Sequence, residues 1–399
     1  MNSITVGQLS AALKTVLPLA KRPAAPIRGS VLLQQHALVA TTRDCFVTHT
    51  IPLTAAGCLQ HPRLLHRWLA LHPQESQVEI EAVVESGIDR LQFSVGSAQL
   101  ALNTLPADSF PALPSLQSTA TVTLPAPPER AILYALLQSA VEQTGRPRGL
   151  HLRRAGNQIE WITCNGPRIV RARVDYLDCT GAPHFTLILP KIALQLLYNA
   201  PVGKPLEITA ADPWASLQTA ATRIIARTEA DYPDVSRIPP NPFGTLIVER
   251  TALMKTLARC APKEYHPGHL WLSVETETAQ LRVESAIGRE ALPCKLLGGP
   301  FAIAYLDGKY LRAALRSLKG KAVYLQPGRG TIPTLVRSVK TNLEHLVAGL
   351  EIACDLPNQK VSGFVPGEMD SNRTTGDPSC QPTLNQRYLE ASALCNGAP

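Results

Sequence analysis

The sequence predicts an α+β fold in which one unit, two helices packed on antiparallel strands, occurs three times. Three observations carry this. The first amphipathic stretch of each unit aligns through Leu9, Ala131 and Leu253, at two successive intervals of 122 residues. A second helical stretch opens near Pro62, Pro190 and Asp307, at intervals of 128 and 117 residues. Two strand-to-loop junctions share one grammar, Pro106-Ala107-Asp108 before Phe110-Pro111 and Glu229-Ala230-Asp231 before Tyr232-Pro233, and the aromatic-proline pairs lie 122 residues apart. Proline fixes φ and biases the preceding residue toward an extended conformation, so each pair ends a strand stiffly. Self-similarity at a fixed interval marks repeated structural units, although this period far exceeds that of solenoids. The expected division is 1–120, 121–244 and 245–352, followed by a largely unstructured tail over 353–399.

The elements follow in order. Val6–Leu19 places Leu9, Ala12, Leu13, Val16 and Leu17 at helical spacing, and Pro18 closes the pattern. Ser30–Leu33 and Ala37–Thr41 read as a strand pair, and Pro62–Leu71 as a short helix. Gln77–Val84, Leu91–Val95 and Gln99–Leu105 are strands leading into the first junction. The second round has a helix at Pro128–Gln143 and strands at Leu150–Leu152 and Gln158–Thr163 around the turn Ala155-Gly156-Asn157. Phe185–Leu189 is a strand, Pro190–Asn199 a helix, and Leu206–Ala210, Ser216–Ala220 and Thr222–Thr228 are strands. The third round has helices at Glu249–Cys260 and Asp307–Leu318. Its strands are Leu270–Glu275, Gln280–Ser285, Phe301–Tyr305, Lys321–Leu325 and Thr334–Arg337.

Composition narrows the function classes. A 45% hydrophobic content can build real cores, whereas only 5% aromatic residues and 34 prolines suit many short elements separated by turns. The net charge of +8, from 39 basic and 31 acidic residues, permits a polyanionic partner without requiring one. The nine cysteines form no C-x-x-C pair and are odd in number, which reads as reduced thiols in a cytoplasmic protein. Neither an apolar leader region nor a run of about 18 apolar residues occurs, so neither export nor membrane insertion is expected. No phosphate-binding G-x-x-x-x-G-K-[ST] loop is present, and Gly328-Arg329-Gly330 is too short for a dinucleotide fingerprint. Cys58, His61, His66 and His72 lie close together, but their spacing is not that of zinc ligands, and the histidines read as surface groups on a basic helix. No cofactor and no metal are therefore expected. Cys164 as a nucleophile would need a positioned base that the sequence does not reveal.

Residues 3–352 resemble the bacterial sliding clamp family, the beta subunit of DNA polymerase III. The resemblance is carried by the first helix with Arg22-Pro23 and Pro26-Ile27, and by Asn103-Thr104-Leu105-Pro106 with Phe110-Pro111. Thr163–Ile169, Leu189-Pro190-Lys191, Asp231-Tyr232-Pro233-Asp234 and Arg237-Ile238-Pro239 complete it. The order of these motifs and the threefold repeat make the match. The resemblance implies a head-to-tail homodimer closing a ring of six clamp-type domains. Helices would line a hole for duplex DNA, and the ring would tether a DNA polymerase, be loaded by a clamp loader, and perform no chemistry of its own.

A surface that slides on DNA needs cations that meet phosphates without reading bases. The basic residues that recur on the two helix classes are Lys14, Arg63, Arg67, Lys191, Lys255, Arg259, Lys309, Arg312 and Arg316, with Arg312 and Arg316 four apart on one helix face. Lys21 with Arg22, and Arg146 with Arg148, stand in loops at corresponding places in the first two rounds. In the family, partners dock a short peptide into an apolar pocket between the second and third domains. The matching positions here are Thr163, Gly166, Arg168, Ile169, Pro233, Arg237, Ile238, Leu346, Val347 and Leu350. Arg168 follows a turn glycine and is expected to be exposed. The chain departs from the family at Pro167, where histidine is common, and at Ala348 and Gly349, where the family has a Met-Pro-Met-like strand. Cys260–Gly268 is expected near the subunit contact. The alternative is a non-encircling relative that binds DNA or partner proteins as a regulator, and a hydrolase using Cys164 or a histidine is a third. The state of assembly separates the first two, and turnover without an added polymerase would mark the third.

Overall fold

The computed structural model of the protein describes residues 3–20, 29–85, 87–140, 149–181, 185–201, 205–229, 232, 235, 238, 241–262, 268–330, 332–338, 340 and 342–350. Six α-helices lie among them, two to each round of the repeat. They are α1 (Val6–Val16), α2 (Pro62–Leu69), α3 (Arg130–Ser139), α4 (Lys191–Asn199), α5 (Arg250–Cys260) and α6 (Gly308–Ser317). Each starts within two residues of its predicted start. The first helices begin at Val6, Arg130 and Arg250, so their starts lie 124 and 120 residues apart.

Local chemistry explains these starts. Thr5 caps α1: its hydroxyl accepts the Gln8 N–H at 3.2 Å, while the Gln8 side chain accepts the Thr5 N–H at 3.3 Å. Pro62 sits in the first turn of α2, where its missing N–H costs nothing. Asp307 caps α6 by accepting the Lys309 N–H at 2.8 Å. Apolar residues at helical spacing then turn inward: Leu9, Leu13 and Val16 on α1, Leu65 and Leu69 on α2, Leu253 and Leu257 on α5. α1 packs on α2, α3 on α4 and α5 on α6.

The chain separates into two compact units, 1–232 with 341–345, and 233–340 with 346–399. The first unit holds a thirteen-stranded antiparallel sheet. Its order is Ser3–Thr5, Gln77–Glu85, Ile88–Val95, Ala98–Leu105, Gly57–Leu59, Val31–Gln34, Ala37–Thr41, Cys45–Thr50, Thr222–Arg227, Trp214–Gln218, Leu206–Ala211, Ala120–Leu124 and Asp178–Gly181. The pairing of Cys45–Thr50 with Thr222–Arg227, which sets Phe46 opposite Ile225, makes one sheet of strands from the first and second rounds. A further group in this unit runs Thr186–Leu189, Leu150–Ala155, Gln158–Cys164 and Arg168–Asp175. In the second unit the order is Thr334–Ser338, Ala322–Gln326, Thr245–Glu249, Gly288–Leu297, Gln280–Ser285, His269–Glu275 and Ala304–Asp307. The sequence reading had no Gly288–Leu297 strand and placed the Ala304–Asp307 strand three residues early, at Phe301–Tyr305.

Both aromatic-proline junctions are anchored by their aromatic ring. Phe110 follows a short 3-10 turn, Ala107–Ser109, and packs against Val39, Cys58, Leu32 and Leu105. The Tyr232 hydroxyl donates to the Ile162 carbonyl at 3.2 Å, and its ring centroid lies 4.8 Å from that of His151. The predicted tail, 353–399, lies outside the described residues.

Candidate nucleic-acid interface

The solvent sides of the helix pairs hold most of the candidate cations. Burial of Pro62, Leu65 and Leu69 turns Arg63 and Arg67 of α2 outward, and Lys14 is exposed in the last turn of α1. These three cations line one hollow of about 210 Å³ with Leu17, Pro18 and His66. None of the three is ion-paired among the described residues. The hollow is therefore a concentration of positive charge over a small apolar floor.

The second pair differs. Lys191 opens α4 half-buried, and the outward side of α3 and α4 carries Tyr134 and Tyr198 with ring centroids 6.2 Å apart. That aromatic pair was missed because a charge-based search passes over tyrosine. Lys21, Arg22, Arg146 and Arg148 lie outside the described residues.

On the third pair, Lys255 and Arg316 are exposed and carry no ion pair among the described residues. Arg259 is exposed but bound by Glu290, its Nε 2.8 Å from a carboxylate oxygen. The Lys309 ammonium lies 3.0 Å from the Asp307 carboxylate and 4.7 Å from the Tyr310 ring centroid. Arg312 requires a correction. It is 7% exposed, and its guanidinium donates to the carbonyls of Leu257 and Ala261 at the end of α5. The last carbonyls of a helix lack internal partners and carry partial negative charge, so a cation there satisfies the helix end. Arg312 therefore joins α6 to α5 and does not share the outward face of Arg316.

The proposed peptide-pocket residues fall into both units. In the first unit, Gly166 has φ +84°, a left-handed turn that suits glycine. Asn165 closes this turn, its side chain accepting the Arg168 N–H at 3.0 Å. Arg168 is 3% exposed, which corrects the expectation of an available guanidinium. The strand after the turn carries it inward, alternating with half-buried Ile169. The Thr163 hydroxyl is buried and hydrogen-bonded to that of Ser139. His345 is fully buried, and burial, then the charge of Arg168, push its imidazole down to about 3. In the second unit, Ile238, Leu346 and Leu350 are half-buried and Val347 is fully buried. The Leu350 N–H donates to the Tyr305 carbonyl at 2.7 Å, and Tyr305 stacks on Trp271 with centroids 4.7 Å apart. These two aromatics, beside a predicted pocket residue, went unnoticed in the sequence because the contact is between distant strands. Pro233 and Arg237 lie outside the described residues.

One feature of the first unit carried no sequence signal. Glu160, 3% exposed, accepts from Arg153 at 2.6 Å and Arg173 at 2.9 Å, and Arg171 is held by Glu344 at 2.6 Å. Burial alone would raise the Glu160 carboxyl, but hydrogen bonds from Arg153 and Arg173 prevail and hold it below its ordinary value. The Cys164 thiol accepts the Gly166 N–H at 3.3 Å. Among the described residues, no three His, Cys, Asp or Glu side chains are grouped to hold a metal ion.

The architecture is that of repeated α+β clamp-type domains. The chain is 25% identical over 363 residues to the beta sliding clamp of Synechococcus elongatus, covering 83% of this chain and 93% of that protein. It is 24% identical to the beta sliding clamp of a Synechocystis strain, over 79% of this chain and 89% of that protein. The structure of the DNA polymerase III beta subunit from Thermotoga maritima superposes with a TM-score of 0.75 at 17% identity, over 88% of this chain and 99% of that one. No family model matches. The chain is thus similar in sequence to two beta sliding clamps and shares the fold of solved clamp structures.

Proposed function

We propose that this protein is a DNA sliding clamp and processivity factor. Two copies close head-to-tail into a ring of six clamp-type domains, divided near 120 and 244 in each chain. Duplex DNA passes through the ring without being read for sequence, and a DNA polymerase is tethered to it for processive replication. A clamp loader and other replication or repair proteins are the further partners, and the work is done in the cytoplasm. The reading assigns the chain no catalytic step.

The observation that carries this is the likeness to beta sliding clamps over 83% of the chain and 93% of the relative. The cations agree with it. Lys14, Arg63, Arg67, Lys255 and Arg316 are exposed on helices and unpaired among the described residues, as sequence-independent phosphate contacts require. Partner binding is assigned to Gly166, Ile169, Ile238, Leu346 and Leu350, with Pro233 and Arg237. Thr163, Arg168 and Val347, which the same resemblance names, are each buried. For ring closure, the Ala98–Leu102 strand edge away from Ile88–Val95 is unpaired among the described residues, as is the Gly288–Pro293 edge away from Gln280–Ser285. Open edges of this kind can add a strand from another chain.

Light scattering at micromolar concentration, followed by retention on circular and linearised DNA after loading, tests the reading. A dimer that stays on circles and leaves linear ends is the expected result. A monomer that binds both DNAs equally would overturn encirclement and favour the non-encircling regulator.

A further inference from the structure

The hollow at α1 and α2 contains one group that the function above does not use. His66 and Arg67 stand on α2 three and four residues after Arg63, so each neighbours Arg63 on the helix surface, and all three line the hollow. His66 is half-buried in the hollow of about 210 Å³. α2 packs on α1, which supplies Lys14 to the hollow, and α2 supplies Arg63 and Arg67. Leu17 and Pro18 complete the lining, and no carboxylate belongs to it. Three cations without an ion pair among the described residues therefore share one hollow with an imidazole.

Burial, then the Lys14 ammonium, hold His66 below its ordinary 6.5. An oxyanion among the three cations brings negative charge beside the ring and so favours its protonated form. Protonated imidazole then offers a further N–H donor to the same oxyanion.

We propose that this hollow seats one backbone phosphate of a DNA duplex and that His66 takes up a proton as the phosphate enters. This rests on the DNA-binding reading above and adds a condition to it. The bound state holds more protons than the free state, so duplex affinity rises as pH falls through the window between the free and bound values of His66. The rise is at most about tenfold per pH unit for each histidine. Above that window affinity is flat, because the ring is neutral in both states.

The test uses the full chain, a short linear duplex and fluorescence anisotropy at constant low salt, from about pH 8 to about pH 5.5, a range centred on histidine titration. Calorimetry in two buffers of different ionisation heat counts the protons taken up. The wild-type protein is expected to bind roughly fivefold more tightly at the acid end and to take up protons there. His66→Gln is expected to lose that gain while keeping the affinity seen at the alkaline end. His66→Lys is expected to bind tightly at every pH, which shows that the fold tolerates substitution. A wild-type affinity that does not change with pH overturns the proposal and leaves the DNA-binding reading intact. A pH response that survives in His66→Gln does the same. No duplex binding at any pH in low salt also overturns the proposal, whereas the encircling reading stands or falls on retention on circular DNA.

Discussion

Arg312 and Arg316 stand one turn apart on α6, yet only Arg316 meets solvent. The difference makes a prediction in two parts. Arg312→Ala removes a charged donor from the Leu257 and Ala261 carbonyls and should cost about 2 kcal/mol of stability in denaturant unfolding. The duplex affinity of the folded fraction should not change. Arg316→Ala should leave stability within about 0.5 kcal/mol and reduce the salt dependence of DNA binding by close to one phosphate contact. His345 makes a second prediction. Its folded value, about 3, lies far below the ordinary 6.5, so between these values the unfolded chain binds a proton that the folded chain does not. The contribution is complete above 6.5 and is lost as pH falls, by up to about 1.4 kcal/mol per unit. Urea midpoints at neutral pH and near pH 5 should therefore differ, and the gap should narrow in His345→Gln. A gap unchanged by that substitution would assign the acid sensitivity to other groups. Neither burial was legible in the sequence. An arginine between Leu311 and Leu315 reads as the polar edge of a helix until a neighbouring helix end supplies the carbonyls that admit it.

Helices were the most legible elements, because the signals that start and stop them are local. Thr5 with Gln8, Pro62 and Asp307 each act within one turn. Strands were less legible where their character comes from a distant partner. Gly288–Leu297 contains Pro293 and alternates weakly, yet it is held by Gln280–Ser285 along one half and Thr245–Glu249 along the other. The arginine-glutamate ladder shows the same limit. Arg153 faces Glu160, and Glu160 faces Arg173, only because the strands Leu150–Ala155, Gln158–Cys164 and Arg168–Asp175 pair in that register. Glu160→Ala should leave two partly covered guanidinium groups without their shared acceptor. A fully buried pair broken in this way costs about 3–5 kcal/mol, and solvent at Arg153 and Arg173 reduces the expected loss to about 2 kcal/mol. Denaturant unfolding measures it. A loss under about 0.5 kcal/mol would mean that water replaces the carboxylate at little cost.

The threefold repeat was legible in the sequence, since helix spacing recurs in all three rounds and the aromatic-proline junction in the first two. The continuity of the sheet from the first round into the second was not. Cys45–Thr50 and Thr222–Arg227 are far apart in sequence, and nothing local in either strand names the other as its partner. The pairing predicts coupled stability. Ile225 is 2% exposed and lies opposite Phe46, so Ile225→Ala removes core volume at the seam and should cost about 2–4 kcal/mol. If the first two rounds unfold as one cooperative body, that cost appears in both. Native-state hydrogen exchange should then show faster exchange at Val39 and Val47 of the first round as well as at Leu217 of the second. If each round is its own cooperative unit, only the amides beside the substitution speed up and Val39 keeps its protection. The first outcome is expected, because the strands that carry Val39 and Leu217 are joined without interruption through Cys45–Thr50 and Thr222–Arg227. A sheet edge bared at that seam would expose buried apolar surface on both sides, so local opening there should approach the cost of unfolding the whole body.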